Sequence, residues 1–283
     1  MSVLLGLVAA LAWGIHDMLV RFAAPGRPVL PLMGTALAAG LVPVGVLAVT
    51  LGRPVSVDAP GALMAIGAGV GFALAGYGLY RAFAIGPVAL VAPIIGAYPI
   101  LTVLIAAFSG RAPTLLQTLA AGAIVGGVGI VALLSPDNEG AGGGRRQAVF
   151  WSLAAGLGFA ATFALAQMAA QSGLAEAEWP KMAITRAAAL TVTILAISML
   201  PDQRSDGPMP WRLLVPMGLL DATAMASVTL AAALPRPEFA AVVASVFGVV
   251  TILLARAFLS EAVRPTQWLA ILAIFAAIAS LGV

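Results

Sequence analysis

The chain has 283 residues, 62% of them hydrophobic and 9% charged, with a net charge of +3. A soluble domain of this size keeps more polar surface toward water, so the natural solvent of this chain is lipid. The absence of cysteine excludes disulfides, iron–sulfur clusters and thiol catalysis.

The cations are thirteen arginines and Lys181, scattered along the chain and mostly at segment ends. There they anchor helices at the headgroups, so the pI near 10.0 is no argument for nucleic acid. About 20 apolar residues span a hydrocarbon core. In chain order the predicted spans are Val3–Phe22, Val29–Leu51, Ala62–Ile85, Val88–Phe108 and Leu115–Leu134, then Ala148–Gln171, Met182–Leu200, Leu213–Leu234, Phe239–Leu259 and Thr266–Val283. The first opens directly after Met1-Ser2 and carries His16 and Asp17, which suits a retained helix rather than a cleaved signal. Lipid offers backbone groups no partner, and the period-2 alternation of a membrane barrel is absent, so the spans are read as helices. The fold class expected is an all-α membrane protein of ten transmembrane helices, arranged as two inverted five-helix repeats.

The breakers Pro25-Gly26, Gly52-Arg53-Pro54, Gly86-Pro87 and Pro235-Arg236-Pro237 mark short connections. Residues 135–147 are Gly-rich and read as a flexible linker between a first unit, 1–134, and a second, 148–283. A shift of 150 residues pairs Pro87 with Pro237, Phe108 with Phe258, Ala112 with Ala262 and Gln117 with Gln267. Five is an odd number, so a second unit that repeats the first enters the membrane from the other side, as in two-state carriers. In the fifth span Gly122 and Gly126 form a GxxxG pattern, which suits a packing or dimer-facing helix.

Charges deep in a span cost at least ~2.5–3.5 kcal/mol, so each needs a reason. Trp13, Asp17 and Arg21 recur at four-residue intervals and share a helix face, where Asp17 and Arg21 can pair. His16 is rotated from Asp17 by about 100° and is expected to point elsewhere. Asp221 has no basic residue four positions away, so its partner is on another helix or is solvent, which suits a cavity acid. Tyr98 precedes Pro99 mid-span, where a proline frees a backbone carbonyl. Candidate cavity or substrate residues are therefore Trp13, His16, Asp17, Tyr77, Tyr98, Pro99 and Asp221, with Asp17 and Asp221 as candidates for proton coupling. Tyr80 and Arg81 read as interfacial anchors, and Glu238 as a first-turn acid favoured by the helix dipole.

Trp13-Gly14 in the first helix, Pro99 in the fourth, and Leu259-Ser260-Glu261-Ala262-Val263-Arg264-Pro265-Thr266-Gln267-Trp268 before the last resemble the drug/metabolite transporter superfamily. The likeness is to its ten-helix carriers with two EamA-type repeats. It implies alternating access by two inverted bundles around a central cavity, with small organic solutes such as amino acids or amphipathic compounds moving outward. It also implies that Glu261, Gln267 and Trp268 build a structural turn. Arg111 stands where the first repeat would carry Glu261's counterpart. The basic residue expected early in the second helix is missing among Met33–Leu41, while Arg186 fills such a place in the second repeat.

The expected function is a secondary transporter in the cell (inner) membrane, driven by the proton gradient or the solute's own gradient. It needs no cofactor and no metal, its partners are a small-molecule substrate and membrane lipid, and it is a monomer or homodimer. No GxxxxGK[ST] stretch is present, which excludes a self-contained P-loop pump. A lipid or lipid-linked sugar flippase is the alternative on the same fold. An intramembrane enzyme lacks the Gly-x-Gly-Asp context at Asp17 and Asp221, and lacks an H-E-x-x-H motif. The basic-residue count favours an external amino terminus, whereas the resemblance implies both termini in the cytoplasm.

Overall fold

A computed structural model of the chain describes residues 1–51, 57–101, 114–135, 144–172, 177–200, 208–232, 240, 243–244 and 246–281. The described helices are α1 (Ser2–Ala23), α2 (Val29–Thr50), α3 (Ala59–Ile85), α4 (Val88–Gly96), α5 (Leu115–Leu134), α6 (Arg145–Gln171), α7 (Glu178–Met199), α8 (Trp211–Ala232), α9 (Phe247–Phe258) and α10 (Pro265–Leu281). Among them, seven are long and apolar enough to cross a membrane, while the described parts of the fourth, ninth and tenth are shorter. Gly52-Arg53-Pro54, Phe108, Arg111, Ala112, most of the Gly-rich linker, Arg204, Pro235-Arg236-Pro237 and Glu238 lie outside the described residues. One boundary moves: α6 begins at Arg145, so Arg145 to Gln147 belong to a helix rather than to the linker.

Short-range chemistry sets the helix ends. Gly26 takes the turn after α1 with φ +71°, a conformation that side chains disfavour. Gly86 and Pro87 separate α3 from α4 in extended backbone, and Pro87 leads into α4 without a donor to lose. Thr114 and Gln117 close a reciprocal box at the start of α5: Gln117 N donates to Thr114 Oγ1 at 3.2 Å, and Thr114 N donates to Gln117 Oε1 at 3.0 Å. At the start of α10 Gln267 Oε1 accepts from Arg264 N at 2.9 Å. The two glutamines that pair in the 150-residue shift thus hold the same backbone position in each half.

The helices pack mainly across the halves. α1 lies against α8 and α9, α2 against α7 and α8, α3 against α6 and α7, α4 against α6 and α9, and α5 against α10. Helix α4 is buried along its whole length, with Val88, Leu90, Val91 and Ala92 fully covered. Outward faces are apolar: Leu63, Leu133 and Leu269 are more than 70% exposed, a pattern tolerable only against lipid tails. In that solvent close backbone approach and dispersion hold helices together. At the α2–α8 crossing, a Cβ on Gly40 would sit 2.6 Å from Gly218 O, and one on Gly218 would collide with Ala36 O. The GxxxG pair behaves differently. Gly122 and Gly126 meet nothing within 4 Å, and Gly127 instead packs on Ile274 of α10.

Candidate functional site

Between the halves lies a cavity of about 740 Å³, partly open to solvent. Its wall is apolar and rich in aromatic rings. Trp13 comes from α1, Phe72 and Tyr80 from α3, Tyr98 from the turn after α4, Phe159 and Phe163 from α6, and Phe247 from α9. Tyr98 and Phe163 stack at 5.0 Å, and Trp13 stands edge-on to Phe163 at 6.5 Å and to Phe247 at 6.1 Å. The wall grows out of local helix periodicity. Phe72, Gly76 and Tyr80 repeat every fourth residue on α3, as do Phe159 and Phe163 on α6, and Gly76 leaves room between two large rings.

The polar groups of the cavity are few and convergent. Trp13 Nε1 donates to Asp221 Oδ1 at 3.1 Å, and Arg186 Nη2 donates to Asp221 Oδ2 at 2.7 Å. Asp221 is therefore answered from two other helices, the distant α1 and the preceding α7. His16 Nδ1 and Asp17 Oδ1 are 2.9 Å apart, and the His16 ring stands edge-on to Tyr80 at 6.1 Å. His16, Asp17, Arg186 and Asp221 are each less than 9% exposed. Arg186 is only partly satisfied: Nε and Nη1 are buried without a hydrogen-bond partner among the described residues. Leaving such a donor unmet costs about 1–3 kcal/mol.

A second cavity, about 600 Å³, lies on the other side of this pair. Arg186 and Phe72 belong to its wall, with Lys181, Glu178, Thr162 and Thr185. Phe72 is shared by both cavities, while Asp221 faces the first and Arg186 the second. The Arg186 guanidinium carbon stands 6.0 Å from the Phe72 ring centre.

Of the residues singled out in the sequence, Trp13, His16, Asp17, Tyr98 and Asp221 come together in the first cavity. Tyr77 does not line it and packs edge-on against Trp151 at 5.2 Å. Tyr80, three residues on, is the tyrosine that faces the cavity, buried to 3% exposure, so it is not an interfacial anchor. Pro99 sits beside the site rather than in its wall. The helix loosens just before it, where Ala97 and Tyr98 form a turn and Tyr98 N donates to Ile95 O at 3.1 Å. His16 does not point away from Asp17, because both side chains lean into the gap between them. The expected Asp17–Arg21 pair is replaced by longer-range partners: Arg21 Nε donates to Glu261 Oε1 at 2.7 Å and Nη1 to Phe83 O at 2.9 Å.

Glu261 does more than shape a turn. Its Oε2 accepts from Val88 N at 2.7 Å, satisfying an open amide at the first turn of α4 in the other half. Ser260 takes φ 54° to present it. Gln267 Nε2 donates to Ser135 Oγ at 3.2 Å, tying α10 to the end of α5, and Trp268 packs half-buried on the core nearby. Sequence reasoning missed Phe72, Phe159, Phe163 and Phe247, although the four-residue spacing on α3 and α6 was a signal for three of them. Among the described residues no group of His, Asp and Glu is arranged to hold a metal ion.

Residues 146–283 match the EamA-like transporter family. No curated protein matches the chain. Among solved structures it is similar to one titled only as the crystal structure of a protein, with 18% identity, a TM-score of 0.65, and coverage of 99% of this chain and 95% of that one. That likeness speaks for the fold alone. The chain is a multi-pass membrane protein whose residues 146–283 belong to the EamA-like transporter family.

Proposed function

We propose that this chain is a secondary carrier that moves a small organic solute outward across the cell membrane by alternating access. The observation that carries the reading is the aromatic cavity of about 740 Å³, built by helices of both halves and holding a few convergent polar groups. That combination of apolar wall and sparse polar contacts is what a binding site for a small amphipathic solute requires. Two inverted repeats supply the motion. Exchanging α1–α5 with α6–α10 maps α1–α8 packing onto α6–α3, α2–α8 onto α7–α3, and α1–α9 onto α6–α4, and returns α2–α7, α4–α9 and α5–α10 to themselves. Rocking one bundle against the other then opens the site to either side.

Asp17 and Asp221 are the proton-coupling groups in this reading. Asp17 faces His16, and the cavity adds Tyr80 and Asp221, which holds Arg186. Reconstituted in liposomes under an imposed pH gradient, Asp17→Asn and Asp221→Asn are expected to lose pH-driven uptake while remaining folded. Unchanged pH dependence in both variants overturns the coupling. The carrier reading itself falls if a broad panel of amphipathic solutes shows no protein-dependent flux in either direction. The inverted arrangement is tested with cysteines, which the chain lacks. Leu51→Cys and Leu200→Cys, at the ends of α2 and α7, are expected to be labelled from opposite sides of the membrane, and labelling from one side overturns the inversion.

A further inference from the structure

Lys181 and Arg186 are 4% and 3% exposed, both on α7, and both belong to the wall of the second cavity. Lys181 Nζ donates to Ser172 O at 2.6 Å and has no acid within ion-pair distance among the described residues. Arg186 gives one nitrogen to Asp221 and keeps two, Nε and Nη1, without acceptors among the described residues. A guanidinium is a planar fork of five donors that suits two oxygens at once, and Asp221 meets it at a single contact. The open donors want acceptor oxygens that no described side chain supplies.

We infer that Arg186 is the recognition residue for a carboxylate on the transported solute, with Lys181 adding to the positive field. This rests on the carrier reading above and narrows its substrate to a monocarboxylate with an apolar, aromatic-sized body. The two cavities divide the work. The first is walled by rings and takes the body, while the second carries the cations and takes the charged end. They adjoin at Phe72 and the Arg186–Asp221 pair, so a solute with its body in the first and its charged end in the second brings that end to the guanidinium. Asp17, Asp221 and Glu178 stand in the walls of these two cavities with Lys181 and Arg186, so the cavities hold no surplus of positive charge, and a phosphate dianion is disfavoured there more than a monoanion.

The test uses the full chain in liposomes and detergent, with 3-phenylpropionate and phenylalanine as probes against their amides, and phenyl phosphate as the alternative anion. Binding is read by the change in tryptophan fluorescence, since Trp13 lines the aromatic cavity. Both carboxylates are expected to bind roughly tenfold or more tightly than their amides. Arg186→Lys keeps the charge without the fork and is expected to retain part of that preference. Arg186→Gln leaves Asp221 without its cation, so the double variant Arg186→Gln/Asp221→Asn, which removes both charges, is the one that decides. It is expected to bind acid and amide alike. Equal binding of acid and amide by the unaltered protein, undiminished preference in the double variant, or tightest binding of phenyl phosphate each overturns the assignment. Flux of neutral or cationic solutes with no carboxylate preference overturns it too, while leaving the carrier reading in place.

Discussion

Arg21 and Glu261 meet at 2.7 Å across 240 residues of chain, and the same carboxylate caps the first turn of α4 through Val88 N. One side chain from the turn before α10 thus holds α1 and α4 of the opposite half. Glu261→Ala is expected to lower stability by about 1–3 kcal/mol, the loss of a charged hydrogen bond and a cap. A double-mutant cycle with Arg21→Ala, read by chemical denaturation in detergent, is expected to be sub-additive, because either single change already breaks the pair. Strict additivity would show that the two side chains are independent.

Gln117 and Gln267 bind matching backbone amides, yet only Gln267 is buried and also reaches Ser135. Replacing either by Ala removes a cap contact of about 0.5–2 kcal/mol. The Gln267→Ala loss is expected to be the larger, since it also leaves a buried serine hydroxyl without this donor. Thermal midpoints of the two variants check the order.

Gly218 faces the carbonyl of Ala36 at the α2–α8 crossing, and a methyl there cannot fit without moving a helix. Gly218→Ala is expected to cost about 1–3 kcal/mol by overpacking. It also shifts α8, which carries Asp221. Monodispersity and thermal midpoint report the first effect, and solute affinity the second.

Phe163 touches Trp13, Tyr98 and Phe159. Phe163→Ala is expected to weaken binding of an aromatic solute by about tenfold, from lost ring contacts of ~0.5–1.5 kcal/mol each. Phe150→Ala, at an exposed ring on the lipid-facing side of α6, is expected to leave affinity unchanged. Equal losses in the two variants would sink the binding role of the cavity.

What the sequence made legible was what lipid dictates. Long apolar runs became helices because nothing else satisfies the backbone there, and an acid without a local partner had to find one elsewhere, as Asp221 does. Which partner it finds was not legible, because Arg186 lies on another helix and contact across helices leaves no trace in periodicity. Arg21 shows the reverse failure: the four-residue spacing to Asp17 is a local signal, and a distant carboxylate outcompetes it. Tyr77 and Tyr80 were confused for a different reason. Helix α3 is apolar and Gly-rich all round, so no polar stripe tells its inner face from its outer one.

The cross-half packing sets the order of events during synthesis. The faces of α1 and α3 that bury most fully are covered by α8, α6 and α7, which leave the ribosome later than the helices they cover. Until then Asp17 and the bare glycine crossings must be borne by lipid, headgroups or the insertion machinery. A truncated product holding only the first five helices has no surface on which to settle. It is expected to be a substrate for membrane proteases, and supplying the missing half as a separate chain should rescue it.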